Sequence, residues 1–292
     1  GDLLCLGGAV YEQFNPLYYS YRGTVQSRTT PTWDNALHNG IACVTDSYEG
    51  LQIVDVRGPG PPAQLAYYDE ANHSLYVSVS GDLAFVTGYG SGIDVIDISD
   101  PSTARRVTCW TQVDGSHVRV SGNLAYVAQL LDGLAILDIE DIQSPRIVGS
   151  LDTDGYVVDL LVEGSLVYLA DATGGLKIVD ASDPASPRVV GTLDTGNGNE
   201  LRKQGDLLFI ADRESGLQIV NVANPEAPQV VGSIGFQYGA YSVELLGDVA
   251  VVSTGSHLAL VDVAEPSHPE MLELLDARDS GASIARDGDS LR

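Results

Sequence analysis

A five-residue strand pattern recurs six times in this 292-residue chain, and its spacing limits the fold more than any other feature of the sequence. The copies are Leu51-Gln52-Ile53-Val54-Asp55, Ile93-Asp94-Val95-Ile96-Asp97, Leu134-Ala135-Ile136-Leu137-Asp138, Leu176-Lys177-Ile178-Val179-Asp180, Leu217-Gln218-Ile219-Val220-Asn221 and Leu258-Ala259-Leu260-Val261-Asp262. They end at positions 55, 97, 138, 180, 221 and 262, in steps of 42, 41, 42, 41 and 41 residues. Self-similarity at roughly 40 to 45 residues, with several short strands per period, is the signature of propeller blades.

One unit shows how the period is filled. Residues 156–162 alternate into a first strand, Gly164-Ser165 turns, and Leu166 to Ala170 makes a second. Gly174-Gly175 turns again into Leu176 to Asp180. Ser182-Asp183-Pro184-Ala185-Ser186-Pro187 then forces a loop, because proline has no N–H for a strand ladder. Arg188 to Leu193 is the fourth strand, and no length remains for a helix. The turn between first and second strands gives a second count: Asn39, Gly81, Gly122, Gly164, Gly205, Gly247 and Gly288, all residues that tolerate positive φ.

Seven turns predict an all-β, seven-bladed propeller of four-stranded antiparallel blades, forming one domain over residues 1–292. Its repeats start near 33, 74, 115, 156, 198, 240 and 282. Six blades plus irregular termini is the alternative. Because the chain ends at Arg292, soon after the seventh turn, residues 1–30 are expected to complete the last blade and close the ring, which removes open sheet edges. A hairpin broken off at its start also suggests a parent chain that continues.

Composition bounds the function classes. The formal charge is -25, from 40 acidic and 15 basic residues, and only Lys177 and Lys203 are lysines. Such a surface repels phosphate backbones, which argues against a nucleic-acid partner. Much of the acid sits in repeated turns, where Asp serves the backbone. Cys5, Cys43 and Cys109 lack metal-ligand spacing. No apolar run is long enough to span a membrane. The start, Gly1 to Leu6, has no basic region of the kind that opens a signal peptide.

Three elements recurring together carry a family resemblance: the Leu-x-Ile-Val-Asp strand, the Asp-Pro-x-x-Pro-x-x-Val-Gly stretch of Asp183 to Gly191 (with Asn224 in first place through Gly232), and the hairpin Gly205 to Asp212. Over residues 33–288 the chain resembles the LVIVD repeat family of β-propellers. Asn221 for the terminal Asp, Gly58 to Pro62 for the first proline loop, and a second unit lacking its second proline depart from the pattern. The resemblance implies an exported, periplasmic or cell-surface protein of bacterial or archaeal type, often a module of a larger protein, and no particular reaction.

Sites are sought on the first strands, which lie nearest a propeller's axis. Five places before the turn stand Asp34, Tyr76, His117, Asp159, Glu200, Ser242 and Ser283. Three places before it, on the same face by strand alternation, stand Arg119, Arg202 and Glu244. Together they predict a polar central channel. Water-filled polar channels are routine, so a ligand site at one mouth is the sharper reading, with Asp34, Asp159 and Glu200 as possible Ca²⁺ ligands. The intervening position is apolar (Val77, Val118, Leu160, Leu201, Val243, Ile284) and is assigned to packing between blades. Tyr11, Phe14, Tyr18, Tyr19, Tyr21 and Trp33 crowd the N-terminal segment, and the five before Trp33 are candidate interface residues. With no catalytic motif, the expected function is a non-catalytic module or structural subunit that binds a protein or surface polymer through loops or a mouth, without cofactor unless Ca²⁺. The alternative is a propeller hydrolase or lyase using the channel carboxylates with His117.

Overall fold

The structure, a computed structural model, describes residues 3–6, 9–15, 18–24, 32–46, 50–58, 60–69, 74–88, 90–255, 257–276 and 284–286. Every regular element among them is a strand except a 3-10 turn at Pro101–Thr103. Among the described residues no helix is long and apolar enough to cross a membrane. The terminal strands are β1 (Leu3–Leu6), β2 (Ala9–Asn15) and β3 (Tyr18–Thr24). Blade 1 holds β4 (Thr32–His38), β5 (Ile41–Asp46), β6 (Gly50–Asp55) and β7 (Ala63–Tyr68). Blade 2 holds β8 (Tyr76–Ser80), β9 (Leu83–Thr87), β10 (Ile93–Asp97) and β11 (Arg105–Trp110). Blade 3 holds β12 (Val118–Ser121), β13 (Leu124–Ala128), β14 (Leu134–Asp138) and β15 (Arg146–Leu151). Blade 4 is β16 (Val157–Glu163), β17 (Leu166–Asp171), β18 (Gly175–Asp180) and β19 (Arg188–Leu193). Blade 5 is β20 (Gly198–Gln204), β21 (Leu207–Asp212), β22 (Gly216–Asn221) and β23 (Gln229–Ile234). Blade 6 is β24 (Ser242–Leu246), β25 (Val249–Ser253), β26 (His257–Asp262) and β27 (Glu270–Asp276), after which β28 (Ile284–Arg286) follows.

The repeat makes six blades, which corrects the expectation of seven. Six sheets are built from four consecutive strands, each with a copy of the five-residue pattern as its third. The remaining strands pair in the order β28-β1-β2-β3, a sheet assembled from both ends of the chain with no copy of that pattern. Gly288, counted above as a seventh turn, lies outside the described residues.

The chain divides into two compact units, residues 1–115 with 278–292, and residues 116–277. In the first, blades 1 and 2 share a core of Cys43, Leu51, Ile53, Tyr68, Val77, Val86 and Ile96. In the second, one apolar seam joins blades 3 and 4 (Leu134, Ile136, Leu160, Leu169, Val179), another joins 4 and 5 (Tyr168, Ile178, Leu201, Ile210, Val220), and a third joins 5 and 6. The core therefore sits between sheets rather than within any one of them. A single blade cannot bury both of its faces, and this is why the unit repeats.

Two local devices set the blade outline. The fourth strand of every blade is bulged against the third, for example between Ile178 and Val179, which twists the outer edge away from further pairing. In blades 3, 4 and 5 one glycine of that strand then meets the neighbouring blade. A Cβ at Gly149, Gly191 or Gly232 would overlap the carbonyl oxygen of Pro184, Pro225 or Pro266, respectively, in the proline loop of the next blade. We expect Gly191→Ala to lower stability by about 1–3 kcal/mol, the usual range for overpacking, as read from the urea midpoint. Gly205→Ala, which has open space but a φ of +58°, should lose only the smaller backbone term.

Candidate functional site

The four first strands of the second unit lie side by side and carry the polar row inward from their backbones. The apolar position between polar ones is buried throughout, at Val118, Leu160, Leu201 and Val243, which holds each strand in register. Asp159 is fully buried. Its Oδ2 accepts a hydrogen bond from the backbone N–H of Leu201 in the next blade at 3.0 Å, while Oδ1 stands 3.4 Å from Arg119 Nη2 and 3.9 Å from His117 Nδ1. His117 Nδ1 lies 2.8 Å from the carbonyl oxygen of Val158, again one blade on. Donation to that carbonyl places the proton on Nδ1.

One blade further, Arg202 is held between two glutamates. Its Nη2 lies 2.6 Å from Glu200 Oε1 and its Nε 2.9 Å from Glu244 Oε2, and Glu244 Oε1 accepts from the Leu245 N–H. All three side chains are largely buried. Ser242 is buried too. The first unit repeats the motif: Asp34 Oδ2 accepts from the Val77 N–H at 2.9 Å, so an acid five places before the turn reaches the same backbone position of the following blade in both units. Tyr76, half-buried, occupies the next place in that unit.

The inner row is thus spent largely on joining blades. Of the six residues expected to converge on a channel, the structure brings His117, Arg119 and Asp159 together in one cluster and Glu200, Arg202 and Glu244 in another. Among the described residues no group of three or more His, Cys, Asp or Glu is arranged to hold a metal ion, and the Ca²⁺ candidates Asp34, Asp159 and Glu200 have the partners just given. Ser283 lies outside the described residues, as do the side chains of Tyr11, Phe14, Tyr18, Tyr19 and Tyr21, whose backbones belong to β2 and β3.

Several joining residues escaped the sequence reading because they sit six places before the turn, at strand starts that alternation does not classify. Ser116 Oγ donates to the Val158 carbonyl at 2.7 Å, and Asn199 Nδ2 to that of Tyr241 at 2.5 Å, each bond running to the next blade. Lys203 was also missed. It pairs with Glu163 Oε2 at 2.7 Å, donates to the Gly205 carbonyl and lies 5.8 Å over the Tyr168 ring. Burial, then Glu163 and Asp206, push the Tyr168 hydroxyl up to about 12. The aligned repeats held one signal for Lys203: a lysine two places before the turn, where the other five blades carry Leu37, Val79, Val120, Val162 and Leu245.

On the opposite ends of the third strands the terminal Asp of the repeat caps its own loop. Asp138 Oδ1 accepts from Glu140 N–H and Asp180 Oδ1 from Ser182 N–H, and their other oxygens pair with Arg146 and Arg188. The Glu140 N–H and then Arg146 hold the Asp138 carboxyl below the ordinary carboxylate range, the Ser182 N–H, then its hydroxyl and then Arg188 do the same for Asp180, and at Asp97 the Ser99 hydroxyl leads. A folded value below the unfolded one gives stability that is present above the unfolded carboxylate range, about pH 4, and lost as pH falls through the lower folded values. Urea midpoints should therefore fall below about pH 4, and Asp138→Asn with Asp180→Asn should flatten that fall.

Comparison with known proteins accords with this geometry. The family model described as LVIVD repeat matches residues 32–69, 73–105, 114–153, 154–195, 196–235 and 239–276, six repeats and not seven. No curated protein matches the sequence. Among solved structures, a protein from Lactobacillus plantarum is similar at a TM-score of 0.82 with 12% identity, covering 98% of both chains. The β-propeller domain of Cps50 (Swd1) from Myceliophteria thermophila aligns at 0.70 with 14% identity, over 90% of this chain and 91% of that one. A chain of a mitotic checkpoint complex aligns at 0.71 with 15% identity, over 88% and 83%. At such identities the likeness shows the fold, a β-propeller, and nothing of the activity.

Proposed function

The chain belongs to the LVIVD repeat family, and from that premise we propose that it is a non-catalytic interaction module of an exported or cell-surface protein, meeting another protein or a surface polymer through its loops. One observation carries the reading. The charged and polar side chains of the inner strands, where a propeller enzyme would keep its acids and bases, bond to neighbouring blades: Asp34 to Val77, Asp159 to Leu201, His117 to Val158, Arg202 to Glu244. A catalytic acid needs an oxygen aimed at substrate. Here the described acids aim at backbone N–H groups and at arginine.

The remaining irregularity is in the loops and outer strands. Leu131 and Tyr238 are exposed in loops of the second unit, and Ile147, Val189 and Val230 on fourth strands. Two of the similar structures are a chain of an assembly and a domain of a larger protein, uses that suit a rigid blade scaffold.

Photo-crosslinkers placed singly at Leu131, Tyr238, Ile147 and Val189 test the proposal in the native envelope fraction. One stoichiometric partner captured from one of these surfaces, and lost on charge reversal beside it, is the expected result. Turnover of glycoside, ester or uronate substrates that disappears in Glu200→Gln or Asp159→Asn would overturn it.

A further inference from the structure

Two carboxylates outside the inner row are fully buried without an ion pair among the described residues. Asp171 ends β17 and Asp212 ends β21. Asp171 Oδ1 accepts from the N–H groups of Tyr156 at 2.7 Å and Gly174 at 3.0 Å. Asp212 Oδ1 accepts from those of Glu214 at 2.8 Å and Ser215 at 2.5 Å. In both residues Oδ2 is buried and has no hydrogen-bonding partner among the described residues.

A second kind of group stands in the same condition nearby. Each carboxylate packs on the loop that leads into its own blade: a Cβ at Gly155 would overlap the Asp171 carboxylate, and one at Gly196 would lie 3.0 Å from Asp212 Oδ2. Each loop carries one threonine, Thr153 or Thr195, which is at least nine-tenths buried and whose Oγ1 also has no partner among the described residues. An acceptor-only oxygen and a hydroxyl are therefore both left unsatisfied at the mouths of two successive blades, in a protein class where buried polar groups are almost always paired.

We infer that each mouth is a binding site for one internal water, which donates a hydrogen bond to Asp Oδ2 and exchanges one with the Thr hydroxyl. Two alternatives fit the chemistry less well. A proton on Oδ2 could be donated to the threonine oxygen, but the threonine's own O–H would still lack an acceptor. A metal ion would need more ligands than these mouths offer, since no group of three acidic, histidine or cysteine residues is present among the described residues. Water needs only two to four polar partners. The bound water would tie the incoming loop to the end of the second strand, fixing the loop that presents each blade's face.

The test is a crystal structure of the whole chain at a resolution that shows ordered solvent, with rubidium-soaked crystals and infrared difference spectra of Asp171→Asn and Asp212→Asn. We expect one solvent peak at each mouth within hydrogen-bonding distance of Asp Oδ2 and Thr Oγ1, without anomalous signal, and loss of ionised-carboxylate bands in the variants. Thr153→Val and Thr195→Val should each lose or displace the peak at their own mouth alone and speed amide exchange at Tyr156 or Glu214. A direct Thr–Asp hydrogen bond with no solvent peak, a carboxylic-acid band at neutral pH, or a rubidium peak would each overturn the inference. The two mouths report separately, so a variant that fails to fold leaves the other to decide.

Discussion

Asp159→Ala should lower the unfolding free energy by about 3–5 kcal/mol, the range found when one partner of a buried charge pair is removed. Three effects add in that direction. The Leu201 N–H, buried between blades 4 and 5, loses its acceptor; Arg119 loses the carboxylate 3.4 Å away; and the fully buried site is left with a small cavity. Asp159→Asn, which keeps an acceptor for Leu201 but not the charge, should fall between wild type and alanine. Equilibrium urea unfolding measures all three, and the m-value should stay constant if only stability changes. A loss under 1 kcal/mol for the alanine variant would mean that the bond to Leu201 contributes little. Partner capture by loops of the second unit should persist in Asp159→Asn at temperatures where it is folded, because the residue joins blades and faces no partner under the proposed function.

What the sequence made legible divides along physical lines. Leu176, Ile178 and their counterparts were readable as core because a strand buried against its neighbours must place apolar residues at fixed spacing, and that spacing survives in one dimension. Blade number was not, because turn residues were counted as blades: Gly288 satisfies the local rule for a turn, whereas the full repeat occurs in six copies, the last over residues 239–276. The partners of the polar row were also illegible. Asp159 meets Leu201, Arg202 meets Glu244 and Asn199 meets Tyr241, each 42 residues on. The repeat gives that separation, but whether a carboxylate at such a place faces solvent or the next blade's N–H depends on how closely the sheets pack. The same limit hid the buried Oδ2 atoms of Asp171 and Asp212, because a strand-end aspartate shows nothing in sequence of how deeply it is buried.

Arg202 carries the second large effect. Removing its guanidinium in Arg202→Ala strands Glu200 and Glu244, both mostly buried, so about 3–5 kcal/mol of stability should be lost at pH 7. The more telling variant replaces the cluster as a whole. Arg202→Met with Glu200→Gln and Glu244→Leu leaves no buried charge in that seam, and apolar replacement of buried ion clusters is often neutral or stabilising, so the triple variant should recover most of the loss. A cycle through the single and double variants would then show a strong non-additive coupling between Arg202 and Glu244. If the cluster exists to bind a charged ligand, the triple variant would be stable yet fail to capture any partner. If it exists to join blades 5 and 6, stability and capture should return together, and the apolar seam formed by Phe209, Leu217, Val243 and Val252 would be seen to hold the two sheets without it.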